Sequence, residues 1–124
     1  ELFDRVVANV ALGNTDDHLR NHGFLTDRGS WTLSPVFDVN PNPEPGPKHL
    51  STAIDLADDT ASISLALSVA DYFRLGAEAA NDVVVHVQAV VSQWATVARQ
   101  YGLSGQEVSK MSWAFEAHSA RPHP

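Results

Sequence analysis

The sequence contains no cysteine, which excludes disulfide bonds and thiolate metal sites. It is also poor in cations. Lys48 and Lys110 are its only lysines, and acidic residues outnumber basic ones by 15 to 8, for a formal net charge of −7. A surface of that sign has few groups to neutralise phosphates, so direct binding to a nucleic-acid backbone is not expected. An anionic membrane surface is disfavoured for the same reason. No apolar run approaches the length of a bilayer crossing, and no signal-peptide pattern opens the chain. With no cysteine to protect, a cytoplasmic location is the natural expectation.

What is present suits one small globular domain. The chain has 124 residues, of which 44% are hydrophobic, enough for a real core. Leu2, Phe3, Val6, Val7 and Val10 have helical spacing and predict a helix over residues 1–12. That pattern starts at the second residue with no Ser, Thr, Asp or Asn cap before it, as expected of a segment cut from something larger. Residues 13–22 are polar and turn-rich. Gly23–Thr26 and Trp31–Ser34 then flank Asp27-Arg28-Gly29-Ser30, which predicts a β-hairpin. Pro41, Pro43, Pro45, Gly46 and Pro47 exclude helix or central strand and predict an exposed loop. Beyond it the chain reads as helical. Leu65, Leu67, Val69, Tyr72 and Phe73 mark a short amphipathic stretch. From Ala77 to Tyr101 one apolar face continues for about seven turns, ended by Gly102. Ser104-Gly105-Gln106-Glu107 is a capping box opening a last helix with Val108, Met111 and Phe115 inward. Residues 118–124 are expected to be a flexible tail. The fold class is mainly α with one small β-hairpin.

Three polar side chains carry the chemical expectation. Phosphoryl transfer from ATP needs a carboxylate to orient or deprotonate the acceptor hydroxyl, and oxygen ligands to hold magnesium on the phosphates. The protein-kinase loop His-Arg-Asp-x-x-x-x-Asn places a base Asp five residues before a metal-binding Asn. Asp16 stands five residues before Asn21, and Asp38 follows 17 residues later, after the hairpin. Asp16 is therefore the candidate base, with Asp17 the alternative if the register shifts by one. Asn21 and Asp38 are the candidate metal ligands, and Phe37 is expected to pack beneath the Asp38 carboxylate. Taken singly, each of these is as readily a turn or capping residue. Arg20 can neutralise transferred charge or be an ordinary surface cation. His18 and His22 have the i, i+4 spacing of half a zinc site, but glycines bracket them in a loop, so His18 is read as a hydrogen-bonding residue that orients that loop. Lys48 and His49 are weaker candidates for contact with substrate.

These residues carry a family resemblance. Leu12-Gly13-Asn14-Thr15-Asp16-Asp17-His18-Leu19-Arg20-Asn21 resembles the catalytic loop of HipA-type serine/threonine kinases, the toxin component of bacterial toxin–antitoxin pairs. Leu33-Ser34-Pro35-Val36-Phe37-Asp38-Val39-Asn40-Pro41 is similar to that family's metal-binding segment, and Ser51-Thr52-Ala53-Ile54-Asp55 and Leu65 to Phe73 to later ones. The resemblance covers residues 2–117. It implies a kinase-like C-terminal lobe over residues 1–117, with Asp16 as base and Asn21 and Asp38 as magnesium ligands. It further implies Mg²⁺ and ATP as cofactors, a protein substrate, and an antitoxin protein as a possible partner. The chain departs from a complete kinase in having no glycine-rich phosphate loop and no lysine before Asp16. The N-terminal lobe is thus absent here, and this chain alone is expected to bind ATP poorly and not turn over. The alternative is a non-catalytic remnant or interaction module that binds a partner lobe or antitoxin.

Overall fold

A computed structural model describes residues 1–116; the tail expected over 118–124 lies outside them. In chain order the elements are α1 (Leu2–Leu12), a 3₁₀ turn (Leu19–Asn21), β1 (Phe24–Asp27), β2 (Ser30–Leu33), α2 (Ile63–Ser68), a second 3₁₀ turn (Ala70–Phe73), α3 (Ala77–Val91), α4 (Trp94–Gln100) and α5 (Gly105–Glu116). The mainly helical fold with one antiparallel hairpin matches the fold class read from the sequence.

Helix α1 is the centre of the body. Phe3, Val7, Val10 and Ala11 recur on one face and are buried, while Leu2 is exposed. Phe3 and Val7 meet Ala66 and Ala70 from the α2 region and Ala80 and Val84 from α3. The alanines allow close helix approach, and Phe3 fills the remaining space, its ring 5.5 Å from that of Phe73 at 59°. The apolar face of α1 is therefore covered. Gly13 ends the helix at φ 64, with the Gly13 N–H donating to Val10 O and the Asn14 N–H to Asn9 O. Both bonds satisfy carbonyls that the helix end leaves over.

The hairpin turns through Arg28 and Gly29, both at positive φ (47° and 86°). That is the two-residue turn whose twist matches paired strands. Phe24 pairs with Leu33 and Asp27 with Ser30. The hairpin base is fixed twice. The Ser34 N–H donates to Gly23 O at 2.8 Å. The buried Arg5 guanidinium donates to Ser34 O and pairs with Glu1 at 2.8 Å.

The single helix expected from Ala77 to Tyr101 is two helices. The ladder breaks at Ser92-Gln93, where Gln93 has φ −88 and ψ 0. The Ser92 hydroxyl donates to Ala89 O at 2.8 Å, a back-bond that competes with the helical ladder. No glycine or proline marks the break. The bend sets Trp94 over Phe115, with centroids 4.3 Å apart and rings 8° from parallel. The apolar stripe is covered unevenly: Ala80 and Val84 are buried and Val91, Trp94 and Ala98 half-buried, while Val90, Val97 and Tyr101 are exposed. Gly102 ends α4 at φ 89. The capping box opens α5 as expected: the Ser104 N–H and hydroxyl both donate to Glu107 Oε2 at 2.7 Å, and the Glu107 N–H donates back to Ser104 Oγ. Val108 and Ala114 are buried on α5, with Met111 and Phe115 half-buried. Among the described residues no helix is long and apolar enough to cross a membrane.

Candidate functional site

The loop from Gly13 to His22 is held at both ends and along one side. At its start Asn14 is fully buried, and its Nδ2 donates to Asn9 Oδ1 at 2.8 Å. Gly13 lies against α5: a Cβ there would stand 2.3 Å from the Ala114 carbonyl oxygen. At the far end His22 Nε2 sits 2.9 Å from both carboxylate oxygens of Asp17. Along the side runs the chain after the hairpin. The Asn42 N–H donates to Gly13 O at 2.9 Å and its Nδ2 to Thr15 Oγ1 at 3.1 Å. The Ser51 N–H donates to Thr15 O at 2.9 Å, and its hydroxyl donates to Asp16 Oδ1 at 3.4 Å.

These contacts separate the two adjacent carboxylates. Asp17 is half-buried with both oxygens on one imidazole, so it is occupied within the loop. Asp16 is exposed, and among the described residues its one side-chain hydrogen bond, from Ser51, is to Oδ1. Both oxygens of Asp17 face one imidazole nitrogen, whereas Asp16 Oδ2 has no hydrogen bond among the described residues. Asn21 is buried, and its Nδ2 turns toward Asp16 O at 3.5 Å, the outer limit of a hydrogen bond. That orientation leaves the amide oxygen Oδ1 for a hard cation. Asp38 lies on the segment after the hairpin, exposed and at φ 57. Asn40 Nδ2 donates to its Oδ1 at 2.8 Å, and Oδ2 is left over. Among the described residues no hydrogen bond joins Asp38 to Asp16 or Asn21.

Several expectations change. Phe37 is half exposed and lines the cleft beside the loop, and the hydrogen bond on the Asp38 carboxylate comes from Asn40. Lys48 is buried, with its Nζ donating to Glu44 O, and does not reach toward substrate. His49 is exposed and pairs with Asp59 at 2.7 Å. Arg20 is exposed with no hydrogen bond or ion pair among the described residues. Among the described residues the His18 ring does not brace the loop: its buried Nδ1 has no hydrogen-bond partner there, and its backbone carbonyl accepts from the Asn21 N–H at 2.8 Å. His22 takes the bracing role.

Beside the loop lies an open cleft of about 670 Å³ between α1, the hairpin base, residues 35–39 and α3. Asp17, Asn21 and His22 line it, as do Phe37 and Val39 on either side of Asp38; Asp16, Arg20 and Asp38 are outside its lining. Asn21 Oδ1 and Asp38 Oδ2 are oxygen donors of the type magnesium takes, but only Asn21 lines the cleft. Among the described residues no group of three or more His, Asp or Glu side chains could hold a metal by itself. A cation at Asn21 and Asp38 would therefore need oxygens from phosphate or water. Sequence reasoning missed Asn42 and Ser51 as partners of the loop. Neither has a local signal, because each acts across a separation of about 30 residues.

The family model described as HipA-like C-terminal domain matches residues 1–94, from α1 through the loop, hairpin and Asp38 segment to the start of α4. No curated protein and no solved structure matches the chain.

Proposed function

Because the chain belongs to the family of HipA-like C-terminal domains, we propose that it is the catalytic-loop-bearing, kinase-like lobe of a serine/threonine protein kinase. The observation that carries this is the difference between Asp16 and Asp17. Asp16 presents an unengaged carboxylate oxygen on a loop fixed on three sides, while Asp17 is spent on His22. In this reading Asp16 accepts the proton of a protein hydroxyl. Asn21 and Asp38 would hold magnesium, which would supply charge neutralisation on the phosphates of ATP. Arg20, exposed beside Asn21, offers a cation to the transferred group. The substrate is a protein hydroxyl, and an antitoxin protein is the expected regulatory partner, in the cytoplasm. Transfer from radiolabelled ATP to a protein acceptor, measured in the complete gene product, tests the reading. Asp16→Asn and Asp38→Asn should each abolish it, and retained activity in both variants would refute the assignment.

A second reading, a non-catalytic module that engages a partner lobe or antitoxin, draws on the hairpin, where Phe24, Leu25 and Trp31 are all exposed. It expects concentration-dependent association in light scattering. A clean monomer at high concentration counts against it.

A further inference from the structure

We propose that Ser51 is a positioning residue for Asp16, and that the strap from Asn42 to Ser51 sets the direction in which this carboxylate faces the acceptor hydroxyl. The inference rests on the reading of Asp16 as the base. An exposed aspartate samples several rotamers unless something holds it. A base, in contrast, must present one oxygen within about 2.6–3.2 Å of the group it deprotonates. Among the described residues the one side chain that hydrogen-bonds the Asp16 carboxylate is Ser51, whose hydroxyl donates to Oδ1 at 3.4 Å. With Oδ1 so engaged, Oδ2 is the oxygen turned to the acceptor.

Ser51 is suited to this because its own backbone is fixed. Its N–H donates to Thr15 O at 2.9 Å, the carbonyl just before Asp16. Strap and loop are thus joined through the backbone of Thr15 and the side chain of Asp16. The other end of the strap is joined by Asn42 to Gly13 O and Thr15 Oγ1. Its outer side is held to the segment before α2, where the Leu50 N–H donates to Asp59 O at 2.7 Å and the Ala61 N–H to Lys48 O at 2.9 Å. Within the strap the buried Lys48 ammonium holds Glu44 O. At 3.4 Å the contact is longer than a relaxed O–H···O bond, and a small rotation of the exposed Asp16 side chain toward the fixed hydroxyl shortens it.

The test uses the complete gene product with Ser51→Ala, Ser51→Thr and Asp16→Asn. Side-chain three-bond couplings in isotope-labelled protein report the Asp16 rotamer whether or not the protein is active. One rotamer is expected in the wild type and in Ser51→Thr, and an averaged one in Ser51→Ala. In phosphotransfer, Ser51→Ala should lower kcat about tenfold with KM for ATP unchanged, since misplacement acts on the reacting geometry. Ser51→Thr should restore it. Ser51→Ala should add nothing in the Asp16→Asn background. A single Asp16 rotamer in Ser51→Ala, or kcat within about twofold of an active wild type, overturns the proposal and leaves the base assignment intact. Absence of any transfer in the wild type refutes the base assignment, while the rotamer result still decides whether Ser51 positions Asp16.

Discussion

In the helical body Phe3 and Val7 are 1% and 0% exposed, whereas in the hairpin Trp31, Phe24 and Leu25 are 70%, 63% and 55% exposed. Similar residue types meet opposite surroundings within one small chain. The body is organised by α1, which buries its apolar face against α2, the 3₁₀ turn that follows it and α3. The hairpin draws its shape from a two-residue turn and its own ladder, and is fixed to the body mainly at its base through Arg5 and Ser34. Stability and site geometry are therefore carried by different residues. The loop with Asp16 sits between the two regions and takes contacts from the body, from the strap and from its own side chains.

The sharpest way to break this contrast is truncation of one aromatic in each region. Phe3→Ala should cost about 3–5 kcal/mol in urea unfolding, through lost burial and the cavity left behind. Trp31→Ala should fall within about 0.5 kcal/mol, as surface changes do. Equal costs would show that the hairpin is covered in solution. Glycines give the next contrast. Gly13→Ala meets both a left-handed backbone and the Ala114 carbonyl, and should cost about 3 kcal/mol. Gly29→Ala, at φ 86 with open space around it, should cost only about 1 kcal/mol. A smaller effect belongs to the α5 cap, where Ser104→Ala should cost about 1 kcal/mol. The Ser104 hydroxyl, and after it the Ser104 N–H, lower the Glu107 pKa below its ordinary 4.5. Folding thus favours the ionised form. That stabilisation is fully present above pH 4.5 and is lost as the pH falls through the lowered folded value. The difference in stability between wild type and Ser104→Ala should accordingly shrink in acid. A difference constant down to pH 3 would contradict the capping role.

How much was legible in the sequence follows from the range of the interactions. The α1 face, the Asp-Arg-Gly turn and the Ser104–Glu107 box were readable because each is decided by residues within about one turn of one another. The break at Ser92-Gln93 was not readable, because neither residue forbids helix. The stacking of Trp94 on Phe115, which accompanies the break, joins residues far apart in the chain. The burial of Lys48 escaped for a similar reason: a lysine after a proline loop reads as solvated unless its carbonyl partner is known. At the site, the spacing of Asp16, Asn21 and Asp38 was visible, as was the preference for Asp16 over Asp17. That preference rests on the five-residue spacing to Asn21; the His22 contact on Asp17 and the contact from Ser51 needed three dimensions.

The central claim is that Asp16 and not its neighbour Asp17 serves as the base of a phosphotransferase. Phosphate transfer from ATP to a protein acceptor, compared between Asp16→Asn and Asp17→Asn in the complete gene product, tests it most directly. The account predicts a loss of about 10²-fold or more for Asp16→Asn and a loss within about tenfold for Asp17→Asn, which only loosens the His22 clamp. A full rate in Asp16→Asn, or a larger loss in Asp17→Asn, would contradict it.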